Sequence, residues 1–357
     1  KIGFQILAGG GLGRTPMIGK EIFDFVERHH LLTALEAILR VYNRLGRRDN
    51  KYKARIKILV KETGIEDFKN LVMQEWSQIK DGPLTLTEAE ITRCKNYFLK
   101  ANYENLEDDP NILKSELDKN LLFSAWFDQN VSQHKKAGYS IVTICFKQTG
   151  VAPGDITDTQ LEFVAELADK YSFGEVRITH HQNIVLADVK QSDLPPLWQK
   201  LNNESLSVAN LSLLSDVICC PGGDFCALAN AKSLPIAESI QRKFSDEKFL
   251  RDIGELRINI SGCMNACGHH HVGNIGILGV DKKGEEFYQI SLGGSSNYKA
   301  SIGKIMGPAF SEQEIPEIID KIINIYRTTR NEGETFLETY NRIGLEPFKE
   351  YVYAKSD

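Results

Sequence analysis

Cys220-Pro221-Gly222-Gly223-Asp224-Phe225-Cys226 and Gly262-Cys263-Met264-Asn265-Ala266-Cys267-Gly268 decide how this chain is read. The first cysteine pair is spaced C-x5-C and the second C-x3-C. Two close pairs can converge four thiolates on one centre, which is the ligand set of a [4Fe–4S] cluster. The glycines and proline beside them let backbone wrap closely around a bulky inorganic core. A structural zinc site competes, but it favours C-x2-C knuckles, and neither pair has that spacing. A disulfide framework fits less well, because seven cysteines is an odd number and no sequence ahead of them reads as a secretory segment. Inert core cysteines are the third reading. That reading fits Cys94 and Cys145, which stand alone, better than four cysteines set in glycine-rich turns. Cys219 adjoins Cys220, and neighbours in an extended segment point opposite ways, so Cys219 is left outside the ligand set.

Around these pairs the chain repeats itself. Placing residue n beside residue n + 284 puts Gln5-Ile6 on Gln289-Ile290, Gly9-Gly10 on Gly293-Gly294, and Ile18-Gly19-Lys20 on Ile302-Gly303-Lys304. Tyr42 then falls on Tyr326, and Gly64–Lys69 echoes Gly344–Lys349 at an offset of 280. A period of this size means a duplicated domain rather than a solenoid. The second copy has sequence ahead of its repeat that the first lacks. The chain also begins without Met, directly in the strand-like run Ile2–Leu7. The expectation is the C-terminal portion of a longer protein, with about 150 residues or more missing upstream.

Periodicity gives a coarse map. Residues 2–8 read as a strand ending in Gly9-Gly10-Gly11-Leu12-Gly13. Leu31, Leu35, Ile38, Leu39 and Tyr42 line one helix face. Residues 76–134 read as a connector with some helix and an acidic stretch at Glu104, Glu107, Asp108 and Asp109. Gly138–Phe146 is a strand, and Thr157–Tyr171 a helix with Leu161, Val164, Leu167 and Ala168 on one face and Thr157 or Asp158 as its cap. Val176–Thr179 and Ile184–Ala187 are strands and Asp193–Asn202 a helix, a ferredoxin-like order. Leu228–Phe244 is helical despite Pro235, and the strand Leu256–Ile260 runs into the second cysteine pair. Ile275–Val280 and Phe287–Leu292 form a hairpin across Asp281–Gly284, and Ile315–Thr329 is the closing helix.

Composition narrows the class. Of 357 residues, 42% are hydrophobic and 25% charged, ordinary globular values that fit two or three domains. A net charge of −5 argues against general nucleic-acid binding. No apolar run approaches the roughly 18 residues of a membrane span, and reduced cysteines suit the cytoplasm. The loop at Gly9 fails both the P-loop ending and the dinucleotide spacing, so its first reading is a turn needing positive φ. The basic run Arg44, Arg47, Arg48, Lys51, Lys53, Arg55, Lys57 reads first as a solvated face, with contact to a carboxylate-rich cofactor or docking of an acidic electron donor as the other readings. His269-His270-His271 reads as surface, or as a neighbour of the cysteines with one ring tuning them.

The segments CPGGDFCA (220–227), SGCMNACG (261–268), AGGGLGRTPMIGK (8–20) and RITHHQN (177–183) closely resemble those of the sulfite and nitrite reductases that couple a [4Fe–4S] cluster to siroheme. The likeness is to the C-terminal portion of a bacterial sulfite reductase hemoprotein subunit. It implies an α+β fold of duplicated sulfite/nitrite reductase architecture, with the N-terminal half missing. The implied domains are residues 1–75, the end of the first repeat; 76–134, the connector; 135–205, a ferredoxin-like half-domain; and 206–357, a mixed α/β cluster-binding domain. It implies Cys220, Cys226, Cys263 and Cys267 as cluster ligands, with Cys267 bridging cluster and siroheme as the catalytic residue. Asn265, Gly268, Gly9, Gly10, Gly11, Arg14, Thr15 and, more weakly, Arg177 are the implied cofactor contacts. The implied activity is six-electron reduction of sulfite to sulfide, fed by a flavoprotein or ferredoxin. Nitrite reduction to ammonia and a non-catalytic iron–sulfur module are the alternatives. The family's substrate-binding cations have no counterpart here, so the chain alone is expected to be inactive.

Overall fold

The run Gly3–Ala8 forms strand β1 in the computed structural model, which describes residues 1–98, 101–108 and 113–354. These residues fall into two units, Lys1–Ala101 and Asn102–Asp357. In the first, β1 pairs antiparallel with β2 (Lys20–Glu27), and helices α1 (Leu31–Leu45), α2 (Ile56–Thr63), α3 (Ile65–Ile79) and α4 (Glu88–Lys95) follow. The core joins Ile22, Phe23 and Val26 to Ala34, Ala37, Ile38 and Val41 of α1 and to Phe68 and Val72 of α3. This corrects the expected face of α1: Leu35 and Leu39 are 39% and 52% exposed. The small side chains Ala34 and Ala37 face the core instead, and small residues let neighbouring elements approach closely. Cys94 is also exposed, on α4, and not a core cysteine; Cys145 is buried as expected.

The second unit begins with α5 (Lys114–Lys119), α6 (Leu121–Asn130) and strand β3 (Val131–Gln133). Then come β4 (Tyr139–Ile144), α7 (Asp158–Tyr171), β5 (Arg177–Ile178), β6 (Ile184–Lys190) and α8 (Leu194–Asn203). The strands form an antiparallel sheet in the order β3-β4-β6-β5. Trp126, Val142, Ile144, Val164, Leu167, Leu186 and Leu197 fill its core. Thr157 caps α7 in a reciprocal box with Gln160, while Leu161, expected on the buried face, is 50% exposed. The stretch read as a connector is divided: α3 ends in the first unit, whereas α6 and β3 build the half-domain itself. Of its acidic residues, Asp108 accepts from the Gly138 N–H at 2.8 Å, Glu104 pairs with Lys190, and Asp109 lies outside the described residues.

The rest of this unit holds β7 (Ile218–Cys219), α9 (Leu234–Lys243), α10 (Glu247–Ile253), β8 (Ile258–Ser261), β9 (Ile275–Lys282), β10 (Glu285–Leu292) and β11 (Lys304–Ile305). Its sheet runs β11-β10-β9-β8-β7, parallel from β7 to β9 and antiparallel beyond. The helix expected over 228–244 starts only at Leu234. Pro235 sits in its first turn, where a missing N–H costs nothing, and residues before it wrap the cysteine loop. The β9–β10 hairpin turns at Lys283-Gly284, both at positive φ, as a tight two-residue turn requires. Helix α11 spans Ile315–Thr329 as read, but α12 (Phe336–Ile343) and α13 (Glu346–Tyr353) follow it.

The duplication holds element by element. Helices α1 and α11 have the same bounds at an offset of 284. Leu7 pairs with Glu21 and Ala8 with Lys20, and 284 residues later Ser291 pairs with Ile305 and Leu292 with Lys304. The bridge Gly11–Met17 recurs as Ser295–Ser301. Gly9 and Gly293 both have positive φ. A Cβ on Gly9 would meet Val60 of α2, and one on Gly293 would meet Tyr340 of α12. The repeated glycines are therefore seats for a helix packed against the hairpin. No helix among the described residues is long and apolar enough to cross a membrane.

Candidate metal centre

The parallel pair β7–β8 delivers both cysteine loops to one end of the sheet. Cys220 follows β7 directly and its N–H donates to the Ile260 carbonyl at 3.1 Å, while β8 ends at Ser261, two residues before Cys263. The loops then lace together. Gly223 N–H donates to Ala231 O at 3.0 Å, and the N–H groups of Asn230 and Ala231 donate to Gly262 O at 2.8 and 3.1 Å. A Cβ on Gly222 would lie 2.4 Å from Ser233 N, and one on Gly262 would lie 2.6 Å from Ala231 O. Only glycine permits this approach. Tyr288, fully buried on β10, donates to Lys232 O at 2.9 Å and pins the outer loop.

Cys220, Cys226 and Cys263 lie near enough to Cys267 to act on its thiol electrostatically. The Cys267 thiol is held above its ordinary value, first by partial burial and then by the negative charge of Cys220, Cys263 and Cys226. Gly262 N–H points at Cys220 Sγ from 3.1 Å, a bond that suits a thiolate acceptor, and the Ser233 hydroxyl lies 3.6 Å from the same sulfur. Cys263 is buried, Cys220 and Cys226 are half-buried, and Cys267 is exposed. The same loops expose Phe225, Leu228 and Met264. Among the described residues no three His, Cys, Asp or Glu side chains gather around a single-ion position. A four-iron cube takes one thiolate per iron and so asks for a wider set than tetrahedral zinc. The donor chemistry fits the cluster.

Other expected residues have structural employment. A Cβ on Gly268 would fall 1.8 Å from Ile260 O, so this glycine seats the loop on β8. Asn265 is exposed beside the thiols. Cys219 is buried in the hydrophobic core of the domain. His270, expected at the surface or beside the cysteines, is buried with both ring nitrogens unpartnered, and burial lowers it to about 3. Arg177 is exposed and paired with Glu175. In the first unit Gly11 and Met17 exchange two hydrogen bonds of 2.9 Å. Gly10 packs on Gly19, and Arg14 and Thr15 are exposed in the loop. Of the basic run, Arg44 pairs with Glu75 and Arg47 with Asp49, whereas Lys57 donates to Leu12 O at 2.6 Å and Thr15 O at 2.8 Å, closing the glycine loop.

Sequence reading missed a buried cluster around Lys147. Its ammonium reaches His181 O at 2.7 Å, Asn183 Oδ1 at 3.0 Å and Asp216 Oδ1 at 3.1 Å with no side-chain exposure. A lysine directly after the apolar run Ile141–Phe146 was its one sequence signal.

Known proteins match this chain along most of its length. A family model described as "Nitrite and sulphite reductase 4Fe-4S domain" covers residues 1–80 and 212–357, and one described as "Nitrite/Sulfite reductase ferredoxin-like half domain" covers 132–204. "Sulfite reductase [ferredoxin] 1" of Mycolicibacterium paratuberculosis is 26% identical over 94% of this chain and 55% of its own length. "Ferredoxin--nitrite reductase" of Synechococcus elongatus is 26% identical over 90% of this chain and 56% of its own length. The chain thus spans about half the length of these relatives. The solved Mycobacterium tuberculosis NirA protein has a similar fold, with a TM-score of 0.70 at 23% identity over 97% of this chain and 58% of that one. Over the two cysteine loops, the sheet that presents them and the repeated hairpins, this chain belongs to the nitrite and sulphite reductase family, whose cofactors are a [4Fe–4S] cluster and siroheme.

Proposed function

We propose that this chain is the cluster-holding part of a sulfite reductase, with Cys220, Cys226, Cys263 and Cys267 as the cluster ligands. The carrying observation is that the two cysteine loops are laced together at Gly262, whose N–H donates to Cys220 Sγ at 3.1 Å, with Cys263 buried and Cys267 exposed. An exposed ligand sulfur suits a bridge to a second iron centre. When bound, the cluster and siroheme supply the electron transfer and the iron that holds the substrate. The chain's own part is placement. Gly262 N–H donates to the Cys220 sulfur, and Gly268 seats the second loop on β8. In the first unit, Arg14 suits a siroheme carboxylate, because a guanidinium pairs with carboxylate in two hydrogen bonds, and Lys57 keeps its loop in shape. Gly9, Gly10 and Gly11 would meet siroheme through their loop backbone, since their Cβ positions already face Val60, Gly19 and Lys57, and Asn265 would lie two residues before the bridging cysteine. Arg177, tied to Glu175, is the weakest candidate among the cofactor contacts.

Ferredoxin is the proposed donor, following the names of the relatives, and the reducing cytoplasm the proposed setting. Nitrite is the second substrate reading, since nitrite reductases 26% and 24% identical stand among the relatives. The test is the full-length protein reconstituted without oxygen, assayed with reduced ferredoxin on sulfite and on nitrite. The proposal requires siroheme absorption, magnetic coupling between the centres, and a higher kcat/KM for sulfite. Cys267→Ser must abolish the coupling and lower turnover by orders of magnitude. Persistence of both removes Cys267 as a bridge, and a cluster-only spectrum leaves an electron-transfer module.

A further inference from the structure

The RITHHQN segment carries a contact that reaches the cysteine loop. Between β5 and β6, Thr179 N–H donates to Asn183 O at 2.8 Å and Gln182 N–H to Thr179 O at 3.1 Å, a tight turn that holds Gln182 at φ +60. Left-handed backbone is unfavourable for a residue with a Cβ, by roughly 1 kcal/mol or more. The turn is kept there by Lys147, which binds the carbonyls of both His181 and Gln182, and by the Asn183–Asp216 contact at 3.3 Å.

The outcome is an unusual pairing. Gln182 Nε2 donates to Cys219 O at 2.8 Å, and Cys219 N–H donates to Gln182 Oε1 at 3.0 Å. Cys219 ends β7, the outermost strand of its sheet. Successive residues of a strand turn their backbone groups to opposite sides. Cys220 N–H faces β8 through Ile260, so the two backbone groups of Cys219 face the open edge. One side-chain amide completes both hydrogen bonds there, as a neighbouring strand would. The residue so fixed immediately precedes Cys220.

We propose that Gln182 is a positioning residue for the metal centre: its amide splints the Cys219 backbone and thereby sets where the Cys220 sulfur meets the cluster. This rests on the reading of Cys220 as a ligand. The half-domain is then part of the cluster site, without touching the cluster. Partners of metal ligands commonly change metal affinity about 10–100-fold when removed.

The experiment compares Gln182→Leu and Gln182→Glu with wild type in the reconstituted full-length protein. Leucine keeps the bulk and loses both bonds. Glutamate accepts from Cys219 N–H but opposes its carbonyl and adds negative charge one residue from Cys220. Three readouts are taken: the rate of cluster loss to a chelator, the electron paramagnetic resonance spectrum, and the cluster midpoint potential. The expected result is loss roughly tenfold faster in both variants, with altered resonance values and, in Gln182→Glu, a lower potential. A lower melting temperature with wild-type loss rate, spectrum and potential overturns the proposal, because Gln182 is then only a structural brace. If Gln182→Leu does not fold, Gln182→Glu decides by the same readings. A wild type that takes up no cluster overturns the ligand reading as well, whereas a loaded wild type with indifferent variants overturns this inference alone.

Discussion

Replacing Lys147 by methionine removes the ammonium that joins three segments of the second unit. It binds His181 O, Gln182 O and Asn183 Oδ1 in one loop and Asp216 Oδ1 ahead of β7, from a side chain with no exposure. Breaking one partner out of a buried ion pair costs about 3–5 kcal/mol, because the other charge is left buried and uncompensated. Here Asp216 keeps Ser212 N–H at 2.9 Å and Asn183 Nδ2 at 3.3 Å, which softens the loss. The carbonyls of His181 and Gln182 each lose a donor, worth about 1 kcal/mol apiece. The two corrections oppose one another, so the expected destabilisation is about 4 kcal/mol. Urea unfolding followed by circular dichroism measures it. The paired variant Lys147→Met with Asp216→Leu should regain only about 1 kcal/mol, since the orphaned charge is gone but Ser212 N–H and Asn183 Nδ2 lose their acceptor. A loss under about 1 kcal/mol for Lys147→Met, with an unchanged slope against urea, refutes the claim that this ion pair holds the segments together.

Four shorter predictions follow from the same geometry. Gly268→Ala puts a Cβ 1.8 Å from Ile260 O, so the second cysteine loop must lift from β8; iron content should collapse while the circular dichroism spectrum stays native. Gly293→Ala, at φ +84 and 2.0 Å from the Tyr340 ring, should lower the melting temperature more than Gly9→Ala, at φ +78 and 2.9 Å from Val60. Cys220→Ser should lose the cluster and Cys219→Ser keep it, read by iron and sulfide analysis; the reverse would shift the ligand register by one. His181 is lowered to about 4, first by burial and then by the charges of His180 and Arg257. Its neutral form is the folded one, so its contribution is whole above the ordinary imidazole value of about 6.5 and fades as pH falls toward 4. Melting temperature should fall over that window, and His181→Gln should flatten the slope.

The sequence by itself determined the chemistry and the plan. Cysteine spacing inside glycine turns, the repeat at 284 and the 3.6-residue period of Ile315–Thr329 are local patterns, and local patterns survive without a fold. The structure returned the repeat as matched registers and the helix with its own bounds. Tertiary structure decided what depends on neighbours distant in sequence. The stripe Leu35–Leu39 is apolar at helical spacing, yet packing chose the alanine face, because the partner helix decides which face is closest. Leu228–Phe244 looks helical throughout, but Asn230 and Ala231 are claimed by hydrogen bonds with the two cysteine loops, and Lys232 by Glu286 and Tyr288 of β10. Gln182 and Lys147 carry no spacing signal, since their partners lie 37 and 69 residues away at Cys219 and Asp216. The resemblance implies Gly268 as a cofactor contact, and only the 1.8 Å approach of Ile260 O shows that it also seats the loop. A motif records which atoms must meet; the folded chain alone records which backbone, charge and amide hold them there.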